Sequence, residues 1–276
     1  MSRRTRRTHA ANALLGAAAL VVAAGARRAS RTDLPTAPQT SGPLARAAVA
    51  FASAPTARYL APKSAAELRV DSAIAALAPA VRTQSHPRAL EDAVRSYFAF
   101  RAAHPEAATK PYLYFVDYGL PSTTPRGYVF DMAARQVVEG PFTVAHGRGS
   151  SESQTGVPMR FSNAFGSAAT SLGLYVAQEL YPFRGHAGGQ AYNSLGMRLE
   201  GVSEGYNDLA RLRRVVAHGA PYVTDAKAGR SEGCPALEPS RAERLLPKLA
   251  NGGLVFLFAP DARWMAGDPW ITERAG

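Results

Sequence analysis

The chain has 276 residues, 46% of them hydrophobic and 19% charged, with a net charge of +11 and a single cysteine. That is an ordinary balance for a chain that buries a core, long enough for one sizeable domain with extensions, and a lone cysteine excludes an internal disulfide framework. The basic balance favours acidic partners, but no Lys/Arg stripe interleaved with aromatics and no nucleic-acid motif is present, so nucleic acid is set aside as a partner.

Arg3, Arg4, Arg6 and Arg7 open the chain, and Ala13 to Ala26 is an uninterrupted small and apolar run of 14 residues. A membrane span needs about 20 apolar residues, so residues 1–26 read as a signal peptide, with an uncleaved anchor as the rival. Removing them leaves a chain of charge +7, so the basic character is not confined to the leader. The expected location is the periplasm or the outer side of the cell envelope. Residues 27–62 are rich in Ala, Pro, Thr and Ser and read as a tether, with a short helix predicted around Leu44 to Ala52.

A helical region follows over 63–110. Ser64 and Glu67 form a capping box, and Val70, Ala73, Ile74 and Leu77 line one face of the helix it starts. A second helix begins near Pro87, carries Leu90, Val94, Tyr97 and Phe98 on one face, and is closed by Pro105. The pair is expected to pack on the domain that follows.

From residue 111 the period changes. "YLYFVDYG" is a doubly buried strand, "GYVFDM" and "VVEGPFTVAHG" are further strands, and Pro141 implies a sheet edge or a break in its strand. "SLGLYVAQELY" is a strand leading into a glycine-rich loop around His186. In "NSLGMRLEG", Leu195, Met197 and Leu199 alternate with polar or small residues, the pattern of a half-buried strand. "YNDLARLR" is predicted as one short helix with Asn207-Asp208 as its cap. "RVVAHG" is a strand, "PSRAERLLPKLANGG" a helix capped by Ser240 and Glu243 and kinked at Pro247, and "LVFLFAP" the last strand. Residues 111–260 are therefore expected to form a mainly β domain, mostly antiparallel and sandwich-like, with short helices. Residues 261–276 form a tail whose Trp264 and Trp270 pack back on the domain.

The one cysteine, Cys234, lies in the polar turn "GRSEGCPAL". A lone cysteine is usually a small buried hydrophobe. Export shifts that reading, because an unpaired thiol in an oxidising compartment is a liability unless it is used. His218 lies sixteen residues upstream, where the strand "VVAHG" ends and Gly219 frees the chain to turn. A thiol is mostly protonated at neutral pH and needs a base or an electropositive site, and histidine is the usual base. Backbone N–H groups of Gly233 and Cys234 could meet a developing oxyanion. Chemistry of this kind supports acyl transfer through a thioester. His146, His186, His218 and Cys234 lack any short ligand spacing, so no metal is expected.

"VVAHGAPYVTDAKAGRSEGCPAL" resembles the signature of the L,D-transpeptidase catalytic domain, in which His-Gly at a strand end precedes Ser/Thr-x-Gly-Cys. "LEGVSEGYNDLARLRRVVAHGA" and "GRSEGCPA" resemble its murein L,D-transpeptidase branch, and the likeness covers about 111–259. The resemblance implies that Cys234 is the nucleophile, His218 its base, and Ser231 a turn-orienting or substrate-binding residue. It further implies that the backbone of Gly233 and Cys234 forms the oxyanion hole. The substrate would be peptidoglycan stem peptides, with carbapenem-type inhibitors acylating Cys234, no cofactor and a monomeric protein. Many members have His where this chain has Glu232, which is expected to face solvent. Many also have Arg or Asn close after the cysteine, where this chain has Pro235-Ala236, so Arg230 is the candidate for the substrate carboxylate. Gly219 and His146 are further candidates for lining the substrate, His146 on an earlier core strand. Three alternatives stand beside a transpeptidase: an L,D-carboxypeptidase, an amide-exchange enzyme, and an inactive wall-binding module. A papain-like enzyme is disfavoured, since there the cysteine precedes the histidine.

Overall fold

The structure, a computed structural model, describes residues 62–81 and 83–272. The leader, the short helix at 44–52 and nearly all of the tether lie outside the described residues. Helix α1 (Ala65–Leu77) starts at the predicted capping box. The Glu67 N–H donates to Ser64 Oγ at 3.2 Å, and the Ser64 N–H donates back to the Glu67 carboxylate at 2.7 Å. Helix α2 (Ala89–Ala103) buries Leu90, Ala93, Val94, Tyr97 and Phe100, a stripe at three- and four-residue spacing.

Ten strands follow: β1 (Tyr112–Asp117), β2 (Gly127–Asp131), β3 (Gln136–Phe142), β4 (His146–Gly147), β5 (Gly173–Ala187), β6 (Gln190–Gly201), β7 (Val216–Gly219), β8 (Arg230–Ser231), β9 (Ala236–Leu237) and β10 (Leu254–Phe258). Eight of them make one mixed sheet in the order β3-β2-β1-β10-β5-β6-β7-β9, and β4 pairs with β8 alone. Most pairings are antiparallel, but β1–β10, β7–β9 and β4–β8 are parallel. As expected, the fold is mostly β with short helices behind a small helical region. β10 is the last strand in the chain and sits centrally, between β1 and β5. All five of its residues are buried, as a run of Leu, Val and Phe with no polar alternation requires. β3, with Pro141, is an edge strand as predicted.

One continuous hydrophobic cluster runs from Val70 and Leu77 in α1, through Tyr97 in α2, to the sheet and on to Trp264 and Ile271. The helical pair therefore shares the core of the sheet, as expected. The tail folds into α4 (Ala262–Gly267) and α5 (Pro269–Thr272). Trp264 is buried and donates Nε1–H to the buried Asp268 carboxylate at 2.8 Å, while Trp270 packs edge-on against Phe100.

Three local expectations are corrected. Residues 204–214 form successive turns rather than a helix. Asn207 is not a helix cap there: buried, it accepts from the Ser203 N–H and donates to Leu174 O, tying this segment to β5. Helix α3 (Pro239–Leu249) starts two residues earlier than a Ser240 cap allows. Glu238 is the N-cap, its carboxylate accepting from the Ser240 and Arg241 N–H groups, and Pro239 fits the first helical turn. The helix continues two residues past Pro247. The loop read around His186 is strand: β5 runs to Ala187 and turns at Gly188-Gly189 into β6, leaving His186 exposed near the hairpin tip.

Trp264→Phe keeps most of the ring volume but removes a donor from a buried carboxylate. It should lower the unfolding free energy by about 1–3 kcal/mol, read as a shifted denaturant midpoint with an unchanged slope. A midpoint equal to wild type would contradict this role for the indole.

Candidate active site

β7 and β9 bring the two ends of the signature together. They pair in parallel, with His218 opposite Ala236 and Gly219 opposite Leu237. Cys234 lies two residues before Ala236, so the thiol turn enters β9 alongside β7. The backbone of Val216, on β7, is close enough to Cys234 to act on its thiol, lowering the pKa. Sixteen residues of separation in sequence are thus closed by one short pair of strands.

His218 is buried, and its Nδ1 lies 2.9 Å from Gly219 O. A carbonyl accepts only, so Nδ1 carries the proton and Nε2 holds the free lone pair. Phe183 of β5 stacks on the imidazole, with ring centroids 4.1 Å apart and planes 18° apart, which fixes the ring plane. Burial pulls the imidazole down to about 4, against the Gly219 contact, which raises it. Cys234 is half-buried as a residue, and desolvation pushes its thiol up to about 11. The Val216 backbone and the Arg213 charge work against that rise, and Glu232 adds to it. At neutral pH the pair therefore rests as thiol and neutral imidazole.

The turn is held from inside. Ser231 Oγ donates to Cys234 O at 2.7 Å and accepts the Gly233 N–H at 3.2 Å. Gly233 has φ +119°, in the region that favours glycine. This corrects one expectation: the Gly233 N–H is spent on Ser231, and of the two expected oxyanion donors only the Cys234 N–H has no hydrogen-bond partner among the described residues. Glu232 does face solvent, as expected, and forms a 2.7 Å ion pair with Arg148. Both side chains are mostly exposed, so water screens the pair.

Gly147 explains the second His-Gly. A Cβ there would lie 2.8 Å from Gly233 Cα and 2.3 Å from Ala168 O, so only glycine lets β4 approach the thiol turn. His146 beside it is fully buried. Its Nδ1 accepts from Arg126 Nη2 at 3.0 Å, and its Nε2 has no partner. Burial, with Arg126 and then Arg230, lowers its pKa to about 3. It supports the neighbouring backbone from within, and the expectation that it lines a substrate surface is corrected by that burial. Gly219 is buried too, where a Cβ would strike Ser194 Oγ at 2.4 Å; it serves close packing rather than a substrate wall. Arg230 is half-buried and commits Nη1 to Ser151 O and Glu152 O, at 2.7 and 2.9 Å.

Two groups escaped the sequence reading. Phe183 sits between the strand expected to end at Tyr181 and the loop expected around His186, in neither element. Arg213 sits in a run with Arg211 and Arg214, where nothing in the sequence marks which arginine turns inward. "FSN" also gains a role, since Asn163 bridges to Asp208 and the Leu209 N–H while Ser162 O accepts from Arg213.

The family model for the L,D-transpeptidase catalytic domain matches residues 82–258, which extends the likeness upstream over α2. Among solved structures, an L,D-transpeptidase from Mycobacterium smegmatis is 15% identical, with a TM-score of 0.32, covering 54% of this chain and 59% of its own. An Ldtfm–avibactam carbamoyl enzyme is also 15% identical, with a TM-score of 0.31, covering 54% of this chain and 48% of its own. The chain thus spans about half to three-fifths of those structures, and such low scores add no weight. No curated protein matches the chain. By the extent of the family-model match, this chain belongs to the L,D-transpeptidase catalytic domain family.

Proposed function

We propose that this protein is an exported transpeptidase that acts on peptidoglycan stem peptides through a Cys234 thioester. The observation that supports the reading is the parallel β7–β9 pairing, which brings the turn carrying the only thiol of the chain to the strand that carries a buried histidine with a free Nε2 lone pair. The basic start and the apolar run at Ala13 to Ala26 support export to where such a polymer lies.

In this reading His218 Nε2 takes the thiol proton as sulfur attacks the carbonyl between the third stem residue and the terminal D-alanine. The oxyanion forms against the Cys234 N–H. His218 then returns the proton to the leaving amine, D-alanine departs, and a thioester remains. The side-chain amine of a second stem attacks the thioester carbonyl and gives a proton to His218. The amide forms and sulfur leaves, recovering its proton from the imidazolium. Because the resting pair is neutral, proton transfer accompanies attack instead of preceding it. Ser231 holds the turn in place, and Arg230 meets a substrate carboxylate.

The shielded thiol favours one competing reading, an inactive wall-binding module, and a single experiment separates the two. Mixing with a carbapenem should add one inhibitor mass to the wild type and none to Cys234→Ala. A folded wild type that gains no mass would leave the wall-binding reading. Within the active reading, Arg230→Ala should lower kcat/KM for a stem donor about tenfold, mainly through KM. An unchanged kcat/KM would remove Arg230 from the substrate contact.

A further inference from the structure

Arg213 is half-buried at the end of the turn segment that leads into β7. Its Nη1 donates to Ser162 O at 2.8 Å and Ser171 Oγ at 3.1 Å. Its Nη2 donates to Ala169 O at 2.7 Å and Ser167 Oγ at 3.1 Å. All four acceptors are neutral, and among the described residues no carboxylate forms a salt bridge with this guanidinium. Its charge is therefore not cancelled locally. Nη2 also lies 3.5 Å from where a Cβ on Gly233 would sit, and the same Cβ would lie 2.9 Å from Ala169 O. The guanidinium and the carbonyl it holds thus form the surface on which the Gly233–Cys234 turn rests.

We infer that Arg213 is a positioning residue for the thiol: it fastens the 162–171 loop against the Gly233–Cys234 turn and keeps an uncancelled positive charge beside the sulfur. The inference rests on the reading of Cys234 as the reacting group. A thiolate formed in a desolvated site needs a nearby cation, and His218 cannot be that cation until it has taken the proton. Arg213 is the cation that acts on Cys234, whereas Arg126 and Arg230, which also form no salt bridge among the described residues, act on His146. The other titratable groups that interact with the sulfur are Glu232 on its own turn, Tyr118 after β1, Tyr175 and Tyr181 on β5, Tyr192 on β6, and Tyr222, while His218 lies on β7 two residues from Val216. Burial raises the phenol pKa of all five tyrosines, so they stay neutral below about pH 10. Glu232 opposes the thiolate.

The test alkylates Cys234 of the full chain between about pH 6 and pH 9.5 with neutral iodoacetamide and with anionic iodoacetate. Arg213→Gln should slow iodoacetamide about threefold to tenfold at every pH in this window, as a smaller thiolate fraction is partly offset by higher nucleophilicity. It should also lower the iodoacetate-to-iodoacetamide rate ratio by at least about threefold, because the anionic reagent loses its attraction. Arg213→Lys keeps the charge and should hold that ratio within about twofold of wild type. A ratio unchanged in Arg213→Gln would overturn the inference and leave Arg213 a packing residue. If the glutamine variant does not fold, the lysine variant decides alone, and a ratio that collapses despite the retained charge overturns it. Both measurements read the thiol and not cross-linking. A wild type that refuses a carbapenem would sink the functional reading, while this ratio would still decide the role of Arg213.

Discussion

The parallel pairing of β7 with β9 is the constraint on which the site depends. It joins only His218 to Ala236 and Gly219 to Leu237, yet it sets a buried imidazole beside a turn sixteen residues away in sequence. Everything around it serves that register. Phe183 fixes the ring plane, Gly219 O fixes the tautomer, and Ser231 fixes the turn from inside. Gly147 lets β4 approach from the other side. Adjacent strands lie about 4.8 Å apart, so a slip of one residue would carry the thiol turn away from the histidine by about 3.3 Å.

Behind the site, the sheet supplies rigidity. β10 closes the chain into the middle of the sheet and is buried throughout, and α1, α2 and the two tail helices share one core with it. A short turn such as the one that carries Cys234 gains precision from such a scaffold because its own residues make few contacts. The long β5–β6 hairpin reaches past the core and brings Phe183 onto His218, so its outer half meets the candidate site where its inner half packs in the sheet.

Much of this was legible in the sequence. The capping box at Ser64, the apolar run of β10, the edge position of Pro141 and the alternation of β6 each follow from a local rule, and each appears in the structure. Cys234 and His218 stood out because a lone thiol in a polar turn and a histidine at a strand end are unusual residues in unusual places. What stayed hidden is tertiary. Arg211, Arg213 and Arg214 look alike in sequence, and only packing turns Arg213 toward the 162–171 loop. His146 looks like His218, with glycine after it, but its depth and its bond to Arg126 are set by strands far apart in the chain. The segment at 204–214 has helical composition, yet Asn207 uses its side chain on Ser203 and Leu174, and these competing hydrogen bonds keep it in turns.

The central claim is that sulfur and imidazole rest as a neutral pair, with burial holding His218 near 4 and Cys234 near 11. Above the histidine value the imidazole is neutral, and below the thiol value the sulfur is protonated, so no thiolate–imidazolium pair populates the window between them. The most direct measurement is the pH dependence of Cys234 alkylation by a neutral reagent in the free wild-type protein. The account predicts a rate that climbs about tenfold per pH unit from about pH 6 to pH 9.5 with no plateau. A plateau of high reactivity across neutral pH would show a preformed ion pair and contradict it.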